Sequence, residues 1–433
     1  ATTFATRGFR IQGDDAMGYQ MALTSDGRIY QVGGETRVIR VHTSGALDTG
    51  FNTDGAGQWD MGADAEGDDV YSIILQTDGQ VIVGGASDPS SEDLVAIARI
   101  TVDGVLDTSF ATKGTRTDSI GAGCDTGIAL ALQTDGNILQ VAQSGTAAAN
   151  SGVGFVRYNI SGGLDTGFHT DGKQKHNPFG SNEIGSVLID LNGKIVVSGK
   201  DGTNNNALVV RYFSNGLIDT SFETNGNVTV NYGGTLDQFY SVVLATDGTL
   251  VAAGTGNSSA KADFAIARFK DDGSIDTSFG TDGKAIASTA LPSSGVVRSM
   301  LGLPDGKMVG VGRIHWGGRY QSAIGRYTPW GALDTSFFTT GTFISTHSTA
   351  SHLNASYLSG DGTILAVGGY GSTNTELWAI RVNTAGRLDS SFSSDGFLTQ
   401  DVTGTSEAFY GVVVQTDGKF LLAGGRNDGY IDP

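Results

Sequence analysis

The sequence is poor in most of the residues that mark a specialised class. One cysteine, Cys124, occurs in 433 residues, so no internal disulfide can form and a disulfide-stapled scaffold is excluded. A lone thiol of this kind reads as a small buried hydrophobe. Proline is scarce, 6 residues, which separates the chain from collagen-like and low-complexity sequences although it holds 66 glycines. Cations are few. Lys+Arg total 27 against 45 Asp+Glu, a net charge of −18. A chain so short of positive charge is not suited to neutralising a nucleic-acid backbone, and it offers no basic patch to an anionic membrane surface. No uninterrupted apolar run approaches the ~18 residues of a membrane-spanning helix. The first residues, ATTFATRGFR, lack the apolar core of a signal peptide. They begin with Ala rather than Met, so an initiator Met or a leader is expected to have been removed.

What the sequence has is repetition. One phrase recurs as LDTGF at Leu47, LDTSF at Leu106, LDTGF at Leu164, IDTSF at Ile218, IDTSF at Ile275, LDTSF at Leu333 and LDSSF at Leu388, at spacings of 54 to 59 residues. A second phrase, of the form TDGQVIVGG at Thr77 or TDGKFLLAGG at Thr416, lies between successive copies and occurs eight times, with steps of 52 to 58 residues. The chain ends on Gly429-Tyr430-Ile431-Asp432-Pro433, the opening of the first phrase, and starts on Thr2-Thr3-Phe4-Ala5-Thr6-Arg7-Gly8, its close. A repeat divided between the termini is expected when the last unit of a ring is completed by the first residues, whereas an open solenoid has atypical caps.

Each Asp-Gly or Asn-Gly of the second phrase is flanked by alternating apolar residues, a hairpin signal, and a type I′ turn is expected there. In the sixth repeat, Val296–Leu303 and Lys307–Val311 read as strands joined by Pro304-Asp305-Gly306. Ala323–Tyr327 and Lys284–Ser288 supply two more. Four short strands per repeat, with no stretch of helical period, describe a propeller blade. The expectation is an all-β, closed β-propeller occupying residues 1–433 as one domain. It has eight four-stranded blades of about 56 residues, the ring closed by pairing of Phe4–Gln12 with the blade at Glu407–Gly425. The last unit is short, since its chain runs from Gly425 to Ile431 where an earlier repeat runs from Gly85 to Leu106. Seven blades is the alternative.

These phrases, LDTSFGTDGK in the form Ile275–Lys284 and V-x-Q-x-DGK-x-x-x-GG at Val413–Gly425, resemble the delta-60 repeat family. The resemblance covers essentially the whole chain. It implies β-propeller blades of the kind found in large bacterial surface or secreted proteins and in phage virion proteins, and says little about a site, because a scaffold does not fix a function.

The repeated residues have physical readings of their own. Arg40, Arg99, Arg157, Arg211, Arg268, Arg326 and Arg381 each stand eight residues before Asp48, Asp107, Asp165, Asp219, Asp276, Asp334 and Asp389. A buried, bidentate Arg–carboxylate pair is expected in each, rather than a ring of cations for an anion. The same Asp should cap a local turn, and the Phe of the phrase should wedge between blades. Asp48/Asp54, Asp165/Asp171, Asp276/Asp282 and Asp389/Asp395 share a spacing that could suit Ca²⁺, but Lys113, Asn225 and Thr340 replace the second acid elsewhere and the pattern is not that of a calcium loop. No cofactor is expected. If calcium binds, Asp64, Glu66, Asp68 and Asp69 are the candidates, with a solvated loop as the simpler reading.

Catalytic patterns are missing. The six histidines occupy no common repeat position, and neither H-E-x-x-H nor G-x-S-x-G occurs. His347 and His352 lie in a polar segment read as an exposed loop. Carboxylate pairs for glycoside chemistry stay open among 45 acidic residues. Where the repeats differ, Arg313, His315, Trp316, Arg319 and Tyr320, with Trp330 on an adjacent loop, have the composition of a binding hot spot; Lys173–Phe179 and Trp378 also stand out. The chain therefore reads as a non-enzymatic structural or adhesive protein outside the cell: secreted, on a cell surface or on a virion. Its partners would be other surface or virion proteins or a host-surface glycan, with no nucleic acid and no membrane insertion. A carbohydrate-active protein, lectin or hydrolase, is the alternative.

Overall fold

A computed structural model of the chain describes residues 18–33, 36–62, 68–87, 93–121, 123–145, 152–177, 183–223, 225–258, 261–286, 294–346, 348–371, 376–401, 406–415 and 418–427. Every regular element among them is a strand. No helix among these residues is long and apolar enough to cross a membrane.

Two compact units divide the chain. One holds residues 1–177 with 410–433, the other residues 178–409. In the first unit, blade 1 is β1 (Gly18–Leu23), β2 (Ile29–Gly33), β3 (Arg37–Val41) and β4 (Ala56–Gln58). Blade 2 is β5 (Asp69–Leu75), β6 (Val81–Ser87), β7 (Leu94–Ile100) and β8 (Thr115–Asp118). Blade 3 is β9 (Asp125–Leu132), β10 (Ile138–Ser144), β11 (Gly152–Tyr158) and β12 (Lys173–His176). In the second unit, blade 4 is β13 (Glu183–Ile189), β14 (Ile195–Lys200), β15 (Ala207–Tyr212) and β16 (Asn227–Val230). Blade 5 is β17 (Gln238–Leu244), β18 (Leu250–Ser258), β19 (Lys261–Phe269) and β20 (Lys284–Ile286). Blade 6 is β21 (Gly295–Gly302), β22 (Met308–Trp316), β23 (Arg319–Tyr327) and β24 (Thr342–Ile344). Blade 7 is β25 (Ser351–Leu358), β26 (Ile364–Tyr370), β27 (Glu376–Val382) and β28 (Phe397–Gln400). A two-stranded sheet follows, β29 (Ser406–Val414) with β30 (Phe420–Asn427), and β30 lies against β1.

The fold is thus all-β, of the β-propeller class, with seven four-stranded antiparallel blades in sequential strand order. The eight complete blades expected from the repeats give way to seven, because the eighth repeat contributes only a hairpin among the described residues. The segment Phe4–Gln12, expected to complete that blade, lies outside them.

Blade limits also differ from repeat limits. Lys284–Ser288 is expected in the sixth repeat, yet β20 pairs with β19, Ile266 opposite Ala285, and closes blade 5. The strand after each phrase therefore belongs to the blade before it. The repeated Arg accordingly sits on the third strand of each blade.

The core lies between consecutive blades of each unit, since every sheet is apolar on both faces. Along β18, Leu250 and Ala252 pack toward blade 4, with Phe222 and Val209, whereas Val251 and Ala253 pack toward blade 6, with Val297 and Met308. This is the period-2 alternation of a strand, with both sets hydrophobic as in sheets covered on both sides.

The Asp-Gly turns close differently from a type I′ turn. In blade 2, Gly79 N–H donates to Gln76 O and Gln76 N–H to Gln80 O, at 3.0 and 2.9 Å. Gly79 has φ +85°, while Asp78 is not left-handed. That is a type I turn followed by a left-handed Gly, a three-residue loop. Asp78 Oδ1 accepts the Gln80 N–H at 3.0 Å, which explains the acid before the Gly.

Candidate functional site

The repeated phrase builds a joint between blades. In each of the seven blades the Arg and Asp form an ion pair, with N–O distances of 2.6 to 2.8 Å. The contact is not the two-oxygen fork expected from sequence. In blade 2, Arg99 Nε and Nη2 both converge on Asp107 Oδ2, while Asp107 Oδ1 accepts the Ser109 N–H at 3.0 Å and its hydroxyl at 2.6 Å. One carboxylate oxygen serves the cation and the other the turn. Each guanidinium also stands over the Phe of its phrase, 4.5 to 5.2 Å from the ring centre.

In five of the blades the remaining guanidinium nitrogen reaches the next blade. Arg99 Nη1 donates to Ile160 O at 2.7 Å, Arg268 Nη1 to Pro329 O at 2.6 Å and Arg326 Nη1 to Thr384 O at 3.0 Å. Arg40 makes the same bond to Val102 O, and Arg211 instead meets Asp271 Oδ1 at 3.0 Å. The residue after each Phe is left-handed: Asn52, Ala111, His169, Glu223, Gly280, Phe338 and Ser393 have φ between +45° and +56°. In blades 1, 2, 4, 5 and 6 that conformation aims its N–H at the next blade's turn, as from Ala111 to Ser161 O (2.7 Å) and Glu223 to Asp272 O (2.6 Å). A glycine of that turn packs on the Phe. A Cβ at Gly386 would stand 2.3 Å from Phe337 Cδ2.

The electrostatics follow from this. Burial would raise the Asp219 carboxyl, but hydrogen bonds from Ser221, Lys194 and Arg211 outweigh it and hold the pKa at about 2. Asp334 is likewise held at about 2, by Ser336, Lys307 and Arg326 against the effect of burial.

Of the calcium candidates, Asp64 and Glu66 lie outside the described residues. Asp68 is buried and accepts the Met61 N–H at 2.7 Å, and Asp69 accepts the Tyr71 hydroxyl at 3.2 Å. Asp54, Asp171 and Asp395 each cap a backbone N–H two residues on. No group of three His, Cys, Asp or Glu among the described residues could hold a metal ion.

The non-repeated residues concentrate in blade 6. Its β22–β23 hairpin runs out to Trp316 opposite Arg319, joined by Gly317 and Gly318 at φ +60° and +83°. Here the type I′ geometry does occur. Trp316 is 39% and Tyr320 45% exposed. The Arg313 guanidinium lies 4.3 Å from the Tyr320 ring centre, and the His315 ring meets Tyr320 edge-on at 5.5 Å. Trp330 is not beside them. It follows the opposite end of β23, about 27 Å away at ~3.4 Å per residue, where its carbonyl accepts the Gly280 N–H and its ring is 66% exposed.

Two residues not singled out from the sequence, Arg298 and Tyr240, complete these surroundings. Arg298 is the bulged residue of β21, between Val297 and Ser299, exposed, with its guanidinium 4.9 Å from the Tyr240 ring centre. His352 lies on β25, not in a loop, packed over Gly369. Burial, then Arg313 and Arg298, lower its pKa to about 4. Burial and Arg298 likewise lower that of Arg313. His347 lies outside the described residues. Trp378 is core, stacked between Tyr370 and Phe397, and Lys173–His176 form β12.

A family model described as "Domain of unknown function (DUF5122) beta-propeller" matches residues 76–110, 191–222, 245–279 and 303–337, each stretch running from an Asp-Gly or Asn-Gly turn to a phrase Phe. No curated protein matches the chain. Among solved structures, the C-terminal WD40 domain of Sif2 is similar at 10% identity and TM-score 0.50, covering 96% of this chain and 97% of that one. The WD40 β-propeller domain of Doa1 is similar at 13% identity and TM-score 0.41, covering 82% and 90%. At such identities the likeness to Sif2 speaks for the fold alone.

Proposed function

We propose that this chain is a non-enzymatic β-propeller that works by assembly or attachment outside the cell, on a cell surface, as a secreted protein or on a virion. The observation that carries the reading is the hairpin ending in Trp316, Gly317, Gly318, Arg319 and Tyr320. It presents two large aromatic side chains to solvent in a molecule whose repeated Arg, Asp and Phe are consumed by the blade joints. Exposed aromatic and Arg side chains supply contact energy at low entropic cost, and they suit either a protein partner or a glycan. The resemblance of the phrases to delta-60 repeats supports an extracellular setting, and the net charge of −18 suits a soluble surface component.

Attachment of labelled protein to a glycan array, and to cells or particles of the producing organism, tests this. Trp316→Ala with Tyr320→Ala should abolish attachment while the melting temperature stays unchanged. Release of reducing sugar from a polysaccharide panel by the intact chain would overturn the non-enzymatic reading in favour of a glycan hydrolase. Normal attachment by the double variant would overturn the assignment of the hairpin.

A further inference from the structure

Positive charge in this protein is scarce, and among the described residues much of it is neutralised at short range. The seven repeated arginines have their aspartates, and Arg116 meets Asp118 at 2.5 Å. Blade 4 shows how the β22 position of Arg313 is handled elsewhere. Counting from the start of the second strand, Lys200 on β14 corresponds to Arg313. Its opposite number on β13 is Glu183, and the two form an ion pair at 2.5 Å. In blade 6 the residue opposite Arg313 is Val296.

Arg298 adds a second cation where none is repeated. The bulge position of the first strand is Tyr71 in blade 2, Gly185 in blade 4, Tyr240 in blade 5 and Asn354 in blade 7. Only blade 6 among these places an Arg there. Neither Arg298 nor Arg313 has a carboxylate within ion-pair distance among the described residues, and Arg313 Nε is buried without an acceptor. The nearby titratable group, His352, is neutral at pH 7 and brings no compensating charge.

Each guanidinium is instead held against an aromatic face, Arg298 on Tyr240 and Arg313 on Tyr320. Stacking of this kind orients the guanidinium plane and leaves its in-plane N–H donors free to meet oxygen acceptors. Two such donors placed together, with no acid between them, are arranged for an anion with more than one oxygen.

We propose that Arg298 and Arg313, braced by Tyr240 and Tyr320, form a binding site for an oxyanion group, a phosphate or a carboxylate carried by a small ligand. The site shares Arg313 and Tyr320 with the hairpin of the attachment reading and rests on that reading only for its location. It draws its other half from β17 and β21, outside the hairpin.

The test is calorimetric titration of the full chain, at low ionic strength, with inorganic phosphate and separately with glucuronate. Saturable binding of either is expected, phosphate alone indicating a tetrahedral group and glucuronate alone a carboxylate. Arg298→Gln, an exposed substitution, should weaken it by about tenfold or more. Arg313→Lys should do the same, because a point charge does not replace the stacked fork. Trp316→Ala should leave it unchanged, and normal attachment by the Trp316→Ala/Tyr320→Ala variant, with anion binding by the intact chain, would sink only the attachment reading. Absence of saturable binding for both anions, or binding unaffected in Arg298→Gln at an unchanged melting temperature, would overturn the oxyanion site.

Discussion

Arg211 and Asp219 meet at 2.7 Å with 2% and 0% of their side chains exposed, and the same Arg reaches Asp271 in the following blade. A pair that looks internal to one repeat is therefore also a tie between two blades. Its removal should be felt across a joint and not only within a sheet.

For Arg268, the alanine variant strands the Asp276 carboxylate and frees the Pro329 carbonyl. We expect a loss of about 3 kcal/mol, read as a fall in urea midpoint. Arg268→Lys should recover part of it, since a lysine keeps the charge but not the fork or the stacking on Phe279. Equal loss in both variants would mean that charge contributes nothing.

The left-handed residue after each Phe predicts an unusual tolerance. Ala111→Gly and Glu223→Gly should raise stability or leave it unchanged, by up to about 1 kcal/mol, because the left-handed strain of an L-residue exceeds the flexibility cost of glycine. Gly280 already occupies that place in blade 5. Its replacement by Val should lower the melting temperature, as a Cβ there would lie 2.1 Å from Lys284 O.

Two glycines with similar φ separate backbone strain from packing. Gly248 (φ +84°) has nothing within 4 Å of an added Cβ, whereas Gly386 (φ +71°) has Phe337. Gly248→Ala should cost about 1–2 kcal/mol and Gly386→Ala clearly more. Thermal melting of the two variants decides.

Acid stability has two steps of known sign. The folded pKa of His352, about 4, lies below its ordinary 6.5. The unfolded chain therefore binds the extra proton, and the stabilisation, complete above pH 6.5, is lost as pH falls toward 4. Asp219 and Asp334, held at about 2 against an ordinary 3.8, lose theirs between about pH 4 and 2. His352→Gln should flatten melting temperature against pH in the upper window and leave the lower one untouched.

The hairpins, the Arg–Asp spacing and the Phe were legible because each is set by residues a few positions apart. The reach of Arg99 to Ile160 was not, since the acceptor is a carbonyl that any residue supplies. Nor was the blade boundary. Lys284 follows the phrase at Ile275 in the chain but pairs backward to β19, and only hydrogen bonding reveals the offset. The juxtaposition of Arg298, Arg313 and His352 was hidden for a similar reason, because three strands from two repeats must pack before it exists. The carboxylate opposite Lys200 and the valine opposite Arg313 are both readable, but only once the register is known.

The offset between repeat and blade bears on how such a chain can change. Insertion or loss of one whole repeat moves three strands of one sheet together with the closing strand of its neighbour. The new boundary still meets an Arg, a Phe, a left-handed residue and a glycine turn of the same kind, about 60 residues along the chain. Coupling of this sort is nearest-neighbour. A damaged joint should loosen the two blades it links and leave more distant ones intact, so unfolding of variants such as Arg268→Ala should begin locally, seen as early amide exchange in β19 and β23 before the rest of their unit.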